Sequence, residues 1–202
     1  MTPRPYLSWS SLDLFERSPE RWKDVYLYGA KIPVNRGMAF GRQMAEGMEH
    51  DEATGDAMLD LAMAGLPKFE IMDKEFRADL PDGKKKITIL CKPDSMKADM
   101  SAFYEYKTGQ AVWTKAKVDA FGQITFYATG MYLRTGKIPQ DIELVHVETE
   151  KDPESPLGAR IRATGAVHRH PTHRTMRDIL EMMGRMKRAW REIERISLEE
   201  LT

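Results

Sequence analysis

The spacing of the apolar residues changes along the chain, and this change restricts the fold to a mixture of helices and strands. Apolar side chains recur every three to four residues near both ends, as in amphipathic helices, whereas β-branched and alternating residues fill the middle. The pattern predicts helices at 7–28, 37–50, 53–64, 115–134 and 172–196, and strands at 69–78, 86–91, 102–107, 142–149 and 160–167. We therefore predict an α/β (α+β) fold with a central mixed sheet flanked by helices.

Individual residues mark the ends of these predicted elements. Ser10 can cap the first helix, with Asp13 in the position of the capping-box acid. Asp82–Gly83 is typical of a hairpin turn. Thr114 and Gly136 are expected to begin and end the helix between them. The three central strands are accordingly predicted to form a short antiparallel meander.

The composition fits one domain that has a hydrophobic core. The chain has 202 residues, of which 42% are hydrophobic and 31% charged. We predict a single domain, 1–202, with N-terminal helices (1–68), a catalytic core (69–149) and a C-terminal strand and long helix (150–202). No apolar run is long enough to cross a bilayer and no secretory signal is visible, so we expect a cytoplasmic protein without a membrane partner.

The single cysteine, Cys91, restricts the chemistry further. An intrachain disulfide, a zinc ribbon and a cysteine-ligated iron–sulfur cluster are all excluded. Lys+Arg and Asp+Glu both number 31, and this zero net charge counts mildly against a nucleic-acid ligand. Basic residues nevertheless crowd the C-terminal part: Arg169, Arg174, Arg177, Arg185, Lys187, Arg188, Arg191 and Arg195. We interpret them as the solvated face of a packed helix, with contact to a DNA backbone as the alternative.

The segment between residues 91 and 109 carries the candidate chemistry. Side chains alternate along a strand, so Glu105 and Lys107 share one face and Tyr104 and Tyr106 the other. Asp94 lies at the end of the preceding strand, which the short turn should make a neighbour. Two carboxylates beside an ammonium favour Mg²⁺ or Mn²⁺. The simpler alternative is a surface ion pair between strands.

These residues resemble a known family. Asp94 followed by Glu105-Tyr106-Lys107 is similar to the signature of the PD-(D/E)XK nuclease superfamily, and Lys107-Thr108-Gly109 is typical of its RecB-like branch. The resemblance implies a restriction-endonuclease-like core and metal-dependent hydrolysis of DNA. Asp94, Glu105 and the Tyr106 carbonyl would bind the metal, and Lys107 would assist the attacking water.

Further motifs follow in the order that the family has them. Gln123 and Tyr127 match the Q-x-x-x-Y motif of the branch and would support the site and contact the DNA strand. Segments 7–19 and 37–49 resemble its opening helix and its first-motif helix. The ordered set makes the resemblance specific, because an E-x-K triplet alone is a weak signal.

The sequence departs from the family at two positions. Ser18 stands where many RecB-like members have a cysteine of an iron–sulfur cluster, so that cluster is expected to be absent. Ala45 stands where the first-motif histidine is usual. Glu46 is the preferred substitute ligand, with Glu49 second and His50 third.

Two other groups of residues have structural and functional interpretations. His168, His170 and His173 are interpreted as a polar surface cluster, with a metal site as the alternative. Trp113 follows the Lys107-Thr108-Gly109 segment and is interpreted as a packing residue, with base stacking as the alternative.

The resemblance implies an exonuclease or single-strand-processing enzyme of recombination or repair. The small, helicase-free architecture would suit a protein of a bacteriophage or mobile element, which would act in the host cytoplasm if viral. The partner would be DNA, with a protein partner left open. The alternatives are a catalytically inactive DNA-binding or scaffolding module and a structure-specific endonuclease.

Overall fold

A computed structural model describes residues 4–50, 52–153, 155 and 160–200. The helices are α1 (Trp9–Arg17), α2 (Pro19–Trp22), α3 (Arg36–His50), α4 (Ala57–Ala64), α5 (Lys115–Asp119), α6 (Gly122–Thr135) and α7 (Met176–Glu199), and a π-helical turn spans Lys23–Leu27. The strands are β1 (Leu7–Ser8), β2 (Ile71–Met72), β3 (Phe76–Asp82), β4 (Lys85–Cys91), β5 (Ser95–Met96), β6 (Ala102–Gly109), β7 (Asp141–Lys151) and β8 (Ile161–Thr172). This is the mixed α/β architecture that the spacing of apolar residues predicts.

The strands form two sheets rather than one. A three-stranded sheet has the order β1-β4-β3, and a five-stranded mixed sheet has the order β2-β5-β6-β7-β8, in which β6 and β7 are parallel. The hairpin predicted at Asp82–Gly83 is confirmed, because β3 and β4 pair on either side of it. The predicted meander is wrong: β6 pairs with the two-residue strand β5, whereas β4 belongs to the other sheet.

The five-stranded sheet is covered on both faces. The residues of one face, including Phe103 and Leu144, belong to a core that they share with residues of α1, α6 and α7. The other face packs against α3 and α4 and includes Tyr104 and Val145. Successive residues of β6 and β7 therefore enter opposite cores, as the alternation of a strand requires. In the described ranges, no helix combines the length and apolarity needed to cross a membrane.

The N-terminal helical region differs in detail from the prediction. Its first helix is capped by Ser8 and not by Ser10, since the Ser8 hydroxyl accepts a hydrogen bond from the Ser11 N–H at 3.3 Å. The predicted second helical piece does begin at Pro19, with Ser18 as its cap. Ser18 therefore has a structural role in this chain.

The helix predicted over 115–134 is broken between Asp119 and Gly122. Arg174, which is buried, donates hydrogen bonds to the carbonyl groups of Val118 (3.2 Å) and Phe121 (3.3 Å) at this break. Carbonyl groups at a helix end lack partners within the helix, and the Arg174 guanidinium supplies them. Arg174 thus stabilises the junction from the inside and is not a surface contact for a ligand.

The C-terminal helix begins later and faces the core differently than predicted. Thr175 and Asp178 form a capping box at its start, so Thr172 remains in β8. The helical spacing of its apolar residues predicts one buried face that includes Met176, Ile179, Leu180, Met183, Met186, Trp190 and Ile193. Ile179, Met186 and Ile193 are buried, whereas Met176 and Leu180 are exposed. Met182, Ala189 and Ile196 complete the buried face instead.

Candidate active site

Asp94 lies directly beside the middle of β6. The register that pairs Met96 with Phe103 and Ser95 with Tyr104 brings the residue before β5 to the level of Glu105. The carboxylate of Asp94 accepts a hydrogen bond from the backbone N–H of Tyr106 at 2.6 Å. The carboxylate is therefore held against the strand that carries the other two candidate residues, although β5 rather than β4 makes the connection.

Glu105 and Lys107 form an ion pair on the face of β6 that looks toward α6. The Lys107 ammonium is 2.5 Å from Oε1 of Glu105, and the Glu105 side chain is buried, with 1% of its surface exposed. The second oxygen of Glu105, Oε2, is also buried and has no hydrogen-bond partner in the described structure. Buried polar atoms normally have a partner, so this oxygen marks a place where a ligand can bind.

The three side chains change one another's pKa values. Burial, together with the charge of Asp94, raises the pKa of Glu105 to about 8. Burial also raises the pKa of Asp94, against the effect of Lys107. Burial opposes the charged form of Lys107, but the charges of Glu105 and Asp94 outweigh it and raise the Lys107 pKa. Burial thus favours the neutral forms of both carboxyl groups, and a bound cation would favour their charged forms.

The donor groups present fit a hard divalent cation. Asp94 and Glu105 supply carboxylate oxygens, and the Tyr106 carbonyl is the further ligand that the resemblance implies. In the part of the chain that the structure describes, no three His, Cys, Asp or Glu side chains come together as a metal-binding group. Mg²⁺ usually binds through one or two carboxylates and keeps several waters, so two carboxylates fit it.

The structure does not bring the preferred first-motif ligand to this site. Glu46 is exposed on α3 and does not line the cavity beside Asp94, whereas its neighbour Ala45 does. His50 is exposed at the end of α3. The side chain of Glu49 lies outside the described residues. The rotation of α3 explains this arrangement, since Phe40 and Met44 enter the core and turn Glu46 away.

A cleft of about 510 Å³ lies between α3 and the end of β6. Its polar lining includes Asp73, Asp94, Lys107 and Thr108. Asp73 is a residue that the sequence analysis missed: its backbone N–H donates to the Asp94 carbonyl at 2.9 Å, and its carboxylate pairs with Lys92 at 2.6 Å. Asp73 has a left-handed φ of 47°, which no sequence pattern signalled.

Gln123 and Tyr127 lie together on α6. The side-chain amide of Gln123 donates to the Tyr127 hydroxyl at 3.0 Å, and Tyr127 is buried. Burial raises the pKa of Tyr127, and the charge of Glu105 raises it further, which places the phenol in the electrostatic range of the candidate site. The pair therefore lies on α6 near Glu105, and Gln123 holds the Tyr127 hydroxyl.

The aromatic side chains of Phe121 and Trp113 lie near Lys107. Its ammonium is 5.6 Å from the centre of the Phe121 ring, and Phe121 packs edge-on against Trp113. The Lys117 ammonium lies 4.4 Å from the centre of the Trp113 ring. Trp113 is half-buried against the main core, which agrees with its interpretation as a packing residue.

The histidines form a stripe across β7 and β8. His146, which the sequence analysis did not single out, stacks on His168 with ring centres 5.9 Å apart and contacts the Gly109 carbonyl through Nε2. Burial lowers the pKa of His146 and of His170, which favours neutral rings. His173 is exposed. These contacts support the interpretation of a polar cluster.

The basic residues of α7 make ion pairs with the protein itself. Arg185 pairs with Glu16, Arg191 with Asp82, and Arg195 with Glu192 and Glu199. Arg177 pairs with Glu181 in the same helix. These pairs agree with a solvated helix face, because these four arginines already have acidic partners.

Comparison with known proteins gives a fold but no family. No protein-family model matches the chain, and no curated protein matches it. A solved structure from Eubacterium rectale, of a protein described as a putative exonuclease, superposes with a TM-score of 0.61 over 97% of this chain and 82% of that one, at 12% identity. The structure of SSO0001 covers 90% of this chain and 74% of its own, also at 12% identity, but its TM-score is only 0.43. The chain thus shares the fold of the Eubacterium rectale protein.

Proposed function

We propose that this chain is a metal-dependent nuclease that hydrolyses phosphodiester bonds of DNA. The observation that carries the proposal is the unpartnered, buried Oε2 of Glu105, which lies with Asp94 and Lys107 in one site. A carboxylate buried in this way is costly unless a positive ligand compensates it. The fold shared with a protein described as a putative exonuclease supports the same proposal.

The residues have distinct roles in this proposal. Asp94 and Glu105 hold Mg²⁺ or Mn²⁺, with the Tyr106 carbonyl as a further ligand. The bound cation would neutralise the phosphodiester and lower the pKa of a coordinated water. Lys107, positioned by Glu105, orients the attacking water and stabilises the negative charge that develops during hydrolysis. Gln123 and Tyr127 support Glu105 from behind.

Purified protein should degrade end-labelled DNA when Mg²⁺ or Mn²⁺ is present, and EDTA should stop the reaction. The physical reason is that the bound cation would neutralise the charge of the phosphodiester and lower the pKa of the attacking water. Product length on a denaturing gel, followed with and without chelator, is the measurement. Cleavage that continues at the same rate in EDTA would contradict metal dependence.

The finer proposal is an exonuclease or single-strand-processing enzyme of recombination or repair. Its support is the resemblance of the motifs, together with the description of the structural neighbour as a putative exonuclease. A closed circular strand separates it from a structure-specific endonuclease, since a strict exonuclease leaves the circle intact and degrades the same strand after linearisation.

A catalytically inactive DNA-binding module is the second candidate. Ala45 occupies the position of the usual first-motif ligand, and the described residues contain no group of three metal-binding side chains. Under this alternative, titration calorimetry would detect no Mn²⁺ binding while DNA binding persists. Mn²⁺ binding that weakens in Glu105→Gln would instead support the nuclease.

A further inference from the structure

The cleft beside the candidate active site has one charged end and one apolar wall. Asp94 and Lys107 lie at the charged end. The apolar lining consists largely of methionines: Met38, Met44, Met48 and Met72. Hydrolysis of a phosphodiester needs only the charged end, so the nuclease proposal does not explain the apolar wall.

Part of the apolar wall is accessible from solvent, although Met44 is buried and Met48 and Met72 are partly buried against the core. Met38 is 44% exposed, and Ala45, which also lines the cleft, is exposed. Methionine is flexible and polarisable, so a wall built from it adapts to flat or aromatic ligands. Apolar surface that remains exposed in this way is typical of a binding site.

Small residues of α3 keep the cleft open. Gly37, Gly41 and Ala45 follow one another at four-residue intervals, so they share one side of the helix and all line the cleft. A Cβ atom at Gly41 would lie 3.4 Å from the Thr108 hydroxyl, which shows how closely α3 approaches the end of β6. The resulting space of about 510 Å³ is in the range of sites that enclose a small organic ligand.

We propose that this cleft binds one or two unpaired nucleobases adjoining the phosphate that reacts at Asp94, Glu105 and Lys107, so that the substrate is single-stranded DNA or an unpaired end. The proposal rests on the proposed function, which supplies the phosphate at the charged end. A nucleotide combines an anionic phosphate with a flat, largely apolar base, and the cleft combines a cation-binding end with an apolar wall. A base inside a duplex is stacked and paired, so a duplex must first unpair before it can place a base in the cleft.

Binding to a fluorescein-labelled dT₁₂ strand, measured by anisotropy at one salt concentration, tests the proposal. The protein carries Lys107→Ala so that the strand is not consumed, and Mg²⁺ is present. Ala45→Phe, which fills the cleft from an exposed position, should weaken binding by about tenfold. Ala64→Phe is the matched control on α4, exposed and outside the cleft, and should leave the affinity unchanged. Equal affinity of the two variants would overturn the proposal.

Two other DNA ligands test the proposal without any substitution in the cleft. A strand of the same length with abasic sites, and a blunt duplex, should each bind about tenfold more weakly than dT₁₂. Equal binding of the abasic strand or the duplex would contradict the cleft proposal even if the enzyme cleaves DNA. Tight, base-dependent binding without any cleavage by the unmodified protein would instead support the cleft and refute the nuclease.

Discussion

Replacing Lys107 by alanine is expected to lower the rate of DNA hydrolysis by at least about 100-fold while the protein remains folded. The Lys107 ammonium is held 2.5 Å from Glu105, in the same site as Asp94. In the proposal it stabilises the negative charge that develops on the phosphate. Without the ammonium, the site loses the positive group that pairs with Glu105. Single-turnover cleavage of a labelled strand in Mn²⁺ measures the effect.

Lys86→Ala is the matched control for this variant. Lys86 also pairs with a carboxylate inside a sheet, at 2.7 Å from Asp79, but it belongs to the three-stranded sheet and is exposed. Its loss should leave the cleavage rate unchanged, because an exposed ion pair contributes little to the stability of the fold and this one lies in the other sheet. Circular dichroism should show both variants folded. A Lys107→Ala protein that is folded and cleaves at the normal rate would refute the assigned role of Lys107.

Replacing Arg174 by alanine is expected to lower the free energy of unfolding by about 3 kcal/mol. Its guanidinium donates to Thr125 and Thr172 at 2.7 Å each, in addition to the two carbonyl groups at the break between α5 and α6. The change would leave several buried acceptors without partners, and each such loss is costly. Urea denaturation followed by tryptophan fluorescence is the measurement.

Arg177→Ala provides the comparison for Arg174. Arg177 is exposed and pairs with Glu181 one turn away in the same helix, so its removal should hardly move the unfolding midpoint. If Arg174→Ala and Arg177→Ala unfold at the same urea concentration, Arg174 does not stabilise the helix break. A stable Arg174→Ala protein would also mean that the break has another cause.

Strand alternation was enough to place Glu105 and Lys107 on one face, because a period of two leaves no other arrangement in a regular strand. The short connection also predicted that Asp94 lies close to Glu105. It did not predict that β5 brings Asp94 there, since β5 has only two residues and no pattern marks so short a strand. The second sheet was missed for the same reason: β1 is two residues long and pairs far along the chain with β4.

Long-range contacts explain the remaining differences. Helical spacing continues without interruption through 115–134, and only the hydrogen bonds from the distant Arg174 identify the break between Asp119 and Gly122. The choice of Glu46 as a ligand depended on the rotation of α3, which is set by the packing of Phe40 and Met44. Asp73 enters the cleft through a left-handed turn, and the sequence around it has no glycine or other signal of that conformation.

A crystal soaked in Mn²⁺, with the metal located by anomalous scattering, tests the central claim most directly. The proposal predicts a peak in contact with the carboxylates of Asp94 and Glu105, with Oε2 of Glu105 as a ligand and the Tyr106 carbonyl beside it. The same map would distinguish Glu46, Glu49, His50 and Asp73 as sources of any further ligand. A Mn²⁺-saturated crystal with no peak at Asp94 and Glu105 would contradict the account.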